Sequence, residues 1–221
     1  MQNMAINSDR LWSSLMEMAQ IGATEKGGVN RQALTELDGQ GRDLFVRWCE
    51  EAGCAIRVDT VGNIYARRPG KNDSLAPVMT GSHLDTQPTG GKWDGVFGVL
   101  SGLEVVRTLN DLNIETERPV EVTVWTNEEG CRFAPAMMGS GVAIGKFDLD
   151  EVYGLTDADG KTFRDELEAI GYLGSDPATV GEVAAFFEVH IEQGPILEDE
   201  DKTIGIVQGA QGQRWFDVTL I

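Results

Sequence analysis

The chain has 221 residues, enough to bury a substantial core, and its 41% hydrophobic and 24% charged content is that of a soluble globular protein. A formal net charge of −18 would be repelled by phosphates, which argues against nucleic acid as a partner, and no apolar run reaches the roughly 20 residues that span a bilayer. The N-terminus shows no basic segment followed by an apolar stretch, so the expected compartment is the cytoplasm, with no membrane as partner.

Taken in chain order, a first helix is expected over residues 9–20, capped by Ser8, with Leu11, Leu15 and Met18 on one face. A second is expected over 41–52, stopped by Gly53. Residues 55–67 read as a hairpin: Ile56 and Val58 alternate, Gly62-Asn63 turns, and Ile64 and Ala66 alternate again. A short strand over 77–82 delivers His83, and a loop rich in Gly and Pro follows. A helix then runs from about Asp94 to Asn110, with Val96, Val99, Leu100, Leu103 and Val106 as its apolar face. Residues 119–126 form the clearest strand, with Val120, Val122 and Val124 alternating, and it delivers Asn127, Glu128 and Glu129. A helix over 162–170 and a buried strand over 183–189 come next, the strand delivering His190. Strand and helix alternate, and the polar residues sit just past strand C-termini, as in α/β proteins whose ligands gather at the carboxyl edge of the sheet. From Ile204 the pattern changes: 205–207 and 216–221 look like strands, with glycine-rich 209–212 between them. The last apolar alternation is still running at Ile221, and such a strand wants a partner, so a truncated protein with a second domain from about Gln213 is expected.

The chemistry concentrates at four places. In His83-Leu84-Asp85 a carboxylate follows a strand-end histidine by two positions, well placed to accept the second ring N–H of a metal-bound imidazole. Asp94 stands at the start of the long helix, where the backbone favours an ionised carboxylate, either as a cap or as a ligand able to bridge two metals. Glu128-Glu129 places like charges side by side at a strand end, a costly arrangement that cations relieve. Successive residues point in different directions, so one carboxylate is free to face metal and the other the reacting water. His190 is the second of only two histidines, and both fall at strand ends beside acidic, glycine-containing loops. Nitrogen and oxygen donors without thiolate suit zinc, with manganese, cobalt or nickel as substitutes. Two such ions about 3.5–4 Å apart activate water and polarise a carbonyl. Three cysteines, Cys49, Cys54 and Cys131, form no C-x-x-C pair; the first two read as packing residues, and Cys131 has no spare histidine to act as its base.

Four stretches together resemble the amidase, hydantoinase and carbamoylase group of the M20-type metallohydrolases: Gly81-Ser82-His83-Leu84-Asp85-Thr86, Gly90-Gly91-Lys92-Trp93-Asp94-Gly95, Asn127-Glu128-Glu129-Gly130-Cys131-Arg132-Phe133, and His190-Ile191-Glu192-Gln193-Gly194-Pro195. The resemblance implies a zinc-exopeptidase-like catalytic domain, a mixed central sheet flanked by helices, over 1–212, with 213–221 as the first strand of a truncated α+β lid and dimerisation domain. It implies that His83 and His190 bind one divalent ion, Glu129 a second, and Asp94 bridges them. Glu128 would be the general base, Asp85 would orient His83, and Gln193 would contact substrate. The implied substrates are small N-carbamoyl amino acids or ureido acids such as allantoate, and the implied full-length form is a homodimer. The group's last metal ligand, a distal histidine, has no counterpart in this sequence, nor has the lid arginine that holds the substrate carboxylate. The chain alone is therefore expected to be inactive or very weak.

Overall fold

The computed structural model describes residues 4–210, 212, 216 and 218–220. They fall into two compact units, Met1–Ile191 and Glu192–Ile221.

In the first unit, α1 (Ser8–Met18) is capped by Asn7 rather than Ser8: the Asn7 side chain accepts from the Arg10 N–H at 3.0 Å, which draws Ser8 into the first turn. Helix α2 (Glu36–Glu51) begins a turn earlier than expected, with the Thr35 side chain as cap. Gly39 and Gly41 hide that turn, because glycine is a poor helix former. Packing explains Gly41, where a Cβ would come within 2.9 Å of the Arg31 side chain. Gly53 follows the helix with φ 80°, the stop expected of it.

The hairpin forms as β1 (Ala55–Val58) and β2 (Ile64–Arg68), antiparallel with Val58 opposite Ile64. Asp59 ties its turn, accepting from the Val61 and Asn63 N–H groups, the Asn63 amide and the Tyr65 hydroxyl. Strand β3 (Val78–His83) leads to α3 (Val96–Asp111), whose five expected apolar residues are all buried. Strand β4 (Val120–Trp125) follows. Two short helices, α4 (Met138–Ala143) and α5 (Leu149–Tyr153), were not signalled by periodicity, since neither is long enough to show two turns of it. Helix α6 (Phe163–Ala169) forms where expected, capped by Thr162.

Strand β5 (Ala185–Phe187) is shorter than the expected buried strand. Phe186, Phe187 and Val189 are 42%, 60% and 42% exposed. The reason is position: β5 pairs only with β3 and lies at the sheet's edge, and among the described residues no second strand joins its other side. The sheet is mixed and five-stranded, in the order β1-β2-β4-β3-β5, with β3 parallel to both β4 and β5 and β2 antiparallel to β4. Val120, Val122 and Val124 of β4 join Ile64 and Ala66 of β2 and the apolar face of α3 in one core. The register His83↔Trp125 brings the ends of β3 and β4 level, so both release their polar residues at one edge.

The second unit holds a single short helix, α7 (Ile196–Asp199), among its described residues. The strand expected over 205–207 is not formed there; a strand exists only through pairing, and these residues pair with nothing described. Of the expected strand over 216–221 and the domain start at Gln213, residues 213–215, 217 and 221 lie outside the described residues. Among the described residues, no helix is long and apolar enough to cross a membrane.

Candidate metal centre

His83 is the last residue of β3 and is almost wholly buried. Its Nδ1 lies 2.8 Å from the Asp85 backbone carbonyl. A carbonyl only accepts, so the ring proton belongs on Nδ1 and the Nε2 lone pair is turned outward for a ligand. The Asp85 carboxylate, expected to orient the ring, stands further off at 3.7 Å. It instead accepts the backbone N–H groups of Glu128 and Glu129 at 3.1 and 3.2 Å, clamping the end of β4 to the end of β3.

Asp94 stands one residue before the helix cap of α3, which is Gly95. That glycine has φ 66°, and a Cβ there would fall 2.4 Å from the His83 ring, so both backbone and contact demand glycine. The approach puts Asp94 Oδ1 3.9 Å from His83 Nε2. His190, beyond β5, brings its Nε2 to 3.2 Å from the same oxygen and turns its Nδ1 to the Ile191 carbonyl at 2.8 Å. The donor atoms of His83, Asp94 and His190 all lie within 4.8 Å of one another. Two imidazole nitrogens and one carboxylate oxygen so grouped could hold a divalent metal ion, a donor set of nitrogen and oxygen without thiolate.

Glu128 reaches the cluster's rim, its Oε2 3.4 Å from His83 Nε2. Burial pushes its carboxyl above the usual value; His83 opposes this, while the nearby Asp85 and Glu129 charges add to it. Glu129 is also pushed up, by burial first, though Gln87 donates to its Oε2 at 3.1 Å and favours the charged form. For His83, burial favours the neutral ring, but the Asp85 and Glu128 charges and the Asp85 carbonyl together hold its pKa above the ordinary value. Cys131 is exposed, and burial of its thiol together with the Glu129 and Asp85 charges raises its pKa, the reverse of thiolate activation.

Of the expected site residues, then, His83, Asp94 and His190 come together, Glu128 borders them, and Asp85 acts from behind. Glu129 is held by Gln87 and is not part of the three-residue group. Gln193 belongs to the second unit, with φ 55°. Arg31 went unnoticed in the sequence, where a lone arginine after a Gly-Gly break carries no signal. It is 1% exposed, donates to the Leu84 carbonyl at 2.9 Å, gives its backbone N–H to the Thr86 hydroxyl at 2.8 Å and accepts the Thr86 N–H at its own carbonyl, bracketing the His83–Thr86 loop.

A donor trio of this kind at the carboxyl edge of a mixed sheet marks a metal-binding α/β protein. The chain belongs to peptidase family M20/M25/M40, whose sequence profile matches residues 79–219. It is 57% identical over 219 residues to the N-carbamoyl-L-amino-acid amidohydrolase of Rhizobium meliloti, covering 99% of this chain and 53% of that protein. A more distant relative is the ureidoglycolate hydrolase of Arabidopsis thaliana, 34% identical over 93% of this chain and 45% of that protein. Among solved structures, an amidase of the hydantoinase/carbamoylase family from Burkholderia multivorans superposes with a TM-score of 0.90 at 60% identity, covering 91% of this chain and 49% of that one. The chain thus spans about half the length of the curated relatives it matches.

Proposed function

We propose that this chain is the N-terminal portion of a metal-dependent amidohydrolase that cleaves the carbamoyl C–N bond of N-carbamoyl amino acids, releasing ammonia, carbon dioxide and the amino acid. The observation that carries the reading is the convergence of His83, Asp94 and His190, with Glu128 at 3.4 Å from His83. In this reading those three residues hold one divalent ion, zinc or in its place manganese, cobalt or nickel, and Glu129 with Asp94 contributes to a second. When bound, such ions supply a Lewis acid that polarises the carbonyl and eases water ionisation. Glu128 takes the proton of the attacking water and returns it to the leaving nitrogen; a carboxyl raised by burial is suited to both halves of that transfer. Asp85 fixes where Glu128 begins, through its backbone N–H. Gln193 contacts substrate, and the full-length protein is a cytoplasmic homodimer whose lid begins near residue 213. The names of the relatives support the substrate class.

The test is ammonia release by the full-length protein from N-carbamoyl amino acids, allantoate, ureidoglycolate and dipeptides. Release from a carbamoyl amino acid supports the proposal; release from none of the ureido substrates overturns it. Glu128→Gln is expected to lower turnover at least about 100-fold while metal stays bound. A second reading, binding without catalysis, is favoured by one observation: Glu129 stands outside the donor trio. Metal analysis of the 221-residue chain separates the two, since fewer than one ion per chain would support the non-catalytic reading.

A further inference from the structure

The two histidines of the cluster leave the sheet from neighbouring strands, but the strands are not paired to their ends. The β3–β5 register runs from Val78↔Ala185 to Thr80↔Phe187 and stops there. His83 is three residues past the last pair on its strand, and His190 is three past it on the other. An exposed, unladdered end would leave His190 free to sample many positions. A side-chain bond spans this gap. The Ser82 hydroxyl donates to Glu188 Oε1 at 2.5 Å. Ser82 is fully buried and immediately precedes His83; Glu188 is exposed and lies two residues before His190. Helix α3 makes room for the junction through Gly98, where a Cβ would meet the Val189 carbonyl at 2.6 Å and Ser82 Cβ at 2.8 Å. The rings that result are 6.4 Å apart, and His190 Nε2 reaches Asp94.

We propose that Ser82 and Glu188 are positioning residues: their hydrogen bond latches the end of β5 to the end of β3 and so sets the spacing of His83 and His190 for a shared ion. The consequence for metal rests on the metal reading above; the latch itself does not. Glu188 touches neither donor nitrogen, so its effect is transmitted through the chain to His190. The interaction needs only a hydroxyl donor and an oxygen acceptor, so Glu188→Gln preserves it while Glu188→Ala and Ser82→Ala abolish it.

The experiment compares the metal-free 221-residue chain with Glu188→Ala, Ser82→Ala, the double variant and Glu188→Gln. Hydrogen–deuterium exchange of residues 188–190 is read without metal, and Co²⁺ binding is followed by its visible absorption. The expected result is faster exchange at 188–190 in both alanine variants, with Co²⁺ affinity about 10-fold weaker and an altered cobalt spectrum. The double variant is expected to be no worse than either single one, because both remove the same bond. Glu188→Gln is expected to stay close to wild type in both readouts, which a general effect of charge would not allow. Unchanged exchange in Glu188→Ala overturns the latch, as do fully additive losses in the double variant. Glu188→Ala decides the matter should Ser82→Ala fold poorly, because Glu188 is exposed. Faster exchange in a chain whose wild type binds no Co²⁺ upholds the latch and overturns the metal reading, whereas Co²⁺ binding with no change in any variant does the opposite.

Discussion

Asp85 shows how a residue's part in a site depends on which of its atoms is used. Its carbonyl faces His83 and its carboxylate faces the backbone of Glu128 and Glu129. Asp85→Asn keeps the carbonyl, so His83 should keep its tautomer and metal content should survive. The amide can accept only one of the two N–H groups and turns a donor toward the other, which displaces Glu128. The expected outcome in the full-length protein is turnover reduced at least about 10-fold at unchanged metal content; loss of metal together with activity would show the carboxylate to be what orients the ring. Gly95 offers the complementary case. An alanine there must adopt φ 66° and place its Cβ 2.4 Å from His83. Gly95→Ala should cost about 1–3 kcal/mol of stability and weaken metal binding more than Gly53→Ala, which has a similar φ of 80° but nothing within 4 Å of its Cβ. Denaturant titration and metal titration of the pair separate backbone strain from the clash. Both residues were legible as parts of motifs, His-x-Asp and Trp-Asp-Gly, but the atom-level division of labour was not, because sequence spacing carries no direction for a carbonyl.

At the scale of elements, α1 is moored to α3 by polar ties, among them the bond from Arg107 to the Ser14 hydroxyl at 3.0 Å. Arg10 binds Glu104 through Nε and Nη2 at 2.8 and 2.7 Å and reaches Asp111 at 2.8 Å, while the Asn7 N–H also donates to Glu104. Burial of Glu104 works against its charge, yet the bonds from Arg10 and Asn7 prevail and hold its carboxyl below the ordinary 4.5. A carboxylate with a depressed folded-state pKa stabilises the protein above its unfolded value, and that contribution is lost as pH falls through the folded value. Glu104→Gln should therefore destabilise the chain by about 1.5–3 kcal/mol at neutral pH, and the gap should narrow as pH falls below 4.5 and through the carboxyl's folded value; urea unfolding along a falling pH series checks it, and a gap that does not narrow in acid would assign the effect to packing. Elements of this size were readable where periodicity had room to show itself. Helix α3 and strand β4 met their expected apolar faces, since each buries a full stripe or alternation. The first turn of α2 was hidden because Gly39 and Gly41 are poor helix formers, and at Gly41 the close approach of the Arg31 side chain, a tertiary cause, explains the glycine. The mooring itself was invisible, as Arg10 and Glu104 are 94 residues apart.

Across the whole molecule, two long-range properties pull in opposite directions. The formal charge of −18 repels one copy from another. The β5 edge attracts: Phe186 and Phe187 are exposed on a strand paired on one side only among the described residues, and Val189 just beyond it is exposed too. A sequence shows the charge at a glance and mistakes the edge for core, because a run such as Ala184-Ala185-Phe186-Phe187 reads the same in the middle of a sheet as at its border. Which property governs depends on ionic strength. The screening length is about 30 Å at 0.01 M salt, comparable with the molecule, and about 3 Å at 1 M, shorter than a side chain. Repulsion is therefore erased by salt while apolar attraction is not. The 221-residue chain should be monomeric at the lower salt and associate at the higher, as read by sedimentation velocity at one protein concentration. Phe187→Lys places a charge on the edge, the device by which natural edge strands resist pairing, and should suppress the association. Association that weakens with added salt would point to ionic contacts between copies, and a Phe187→Lys chain that still associates would move the sticky surface away from β5.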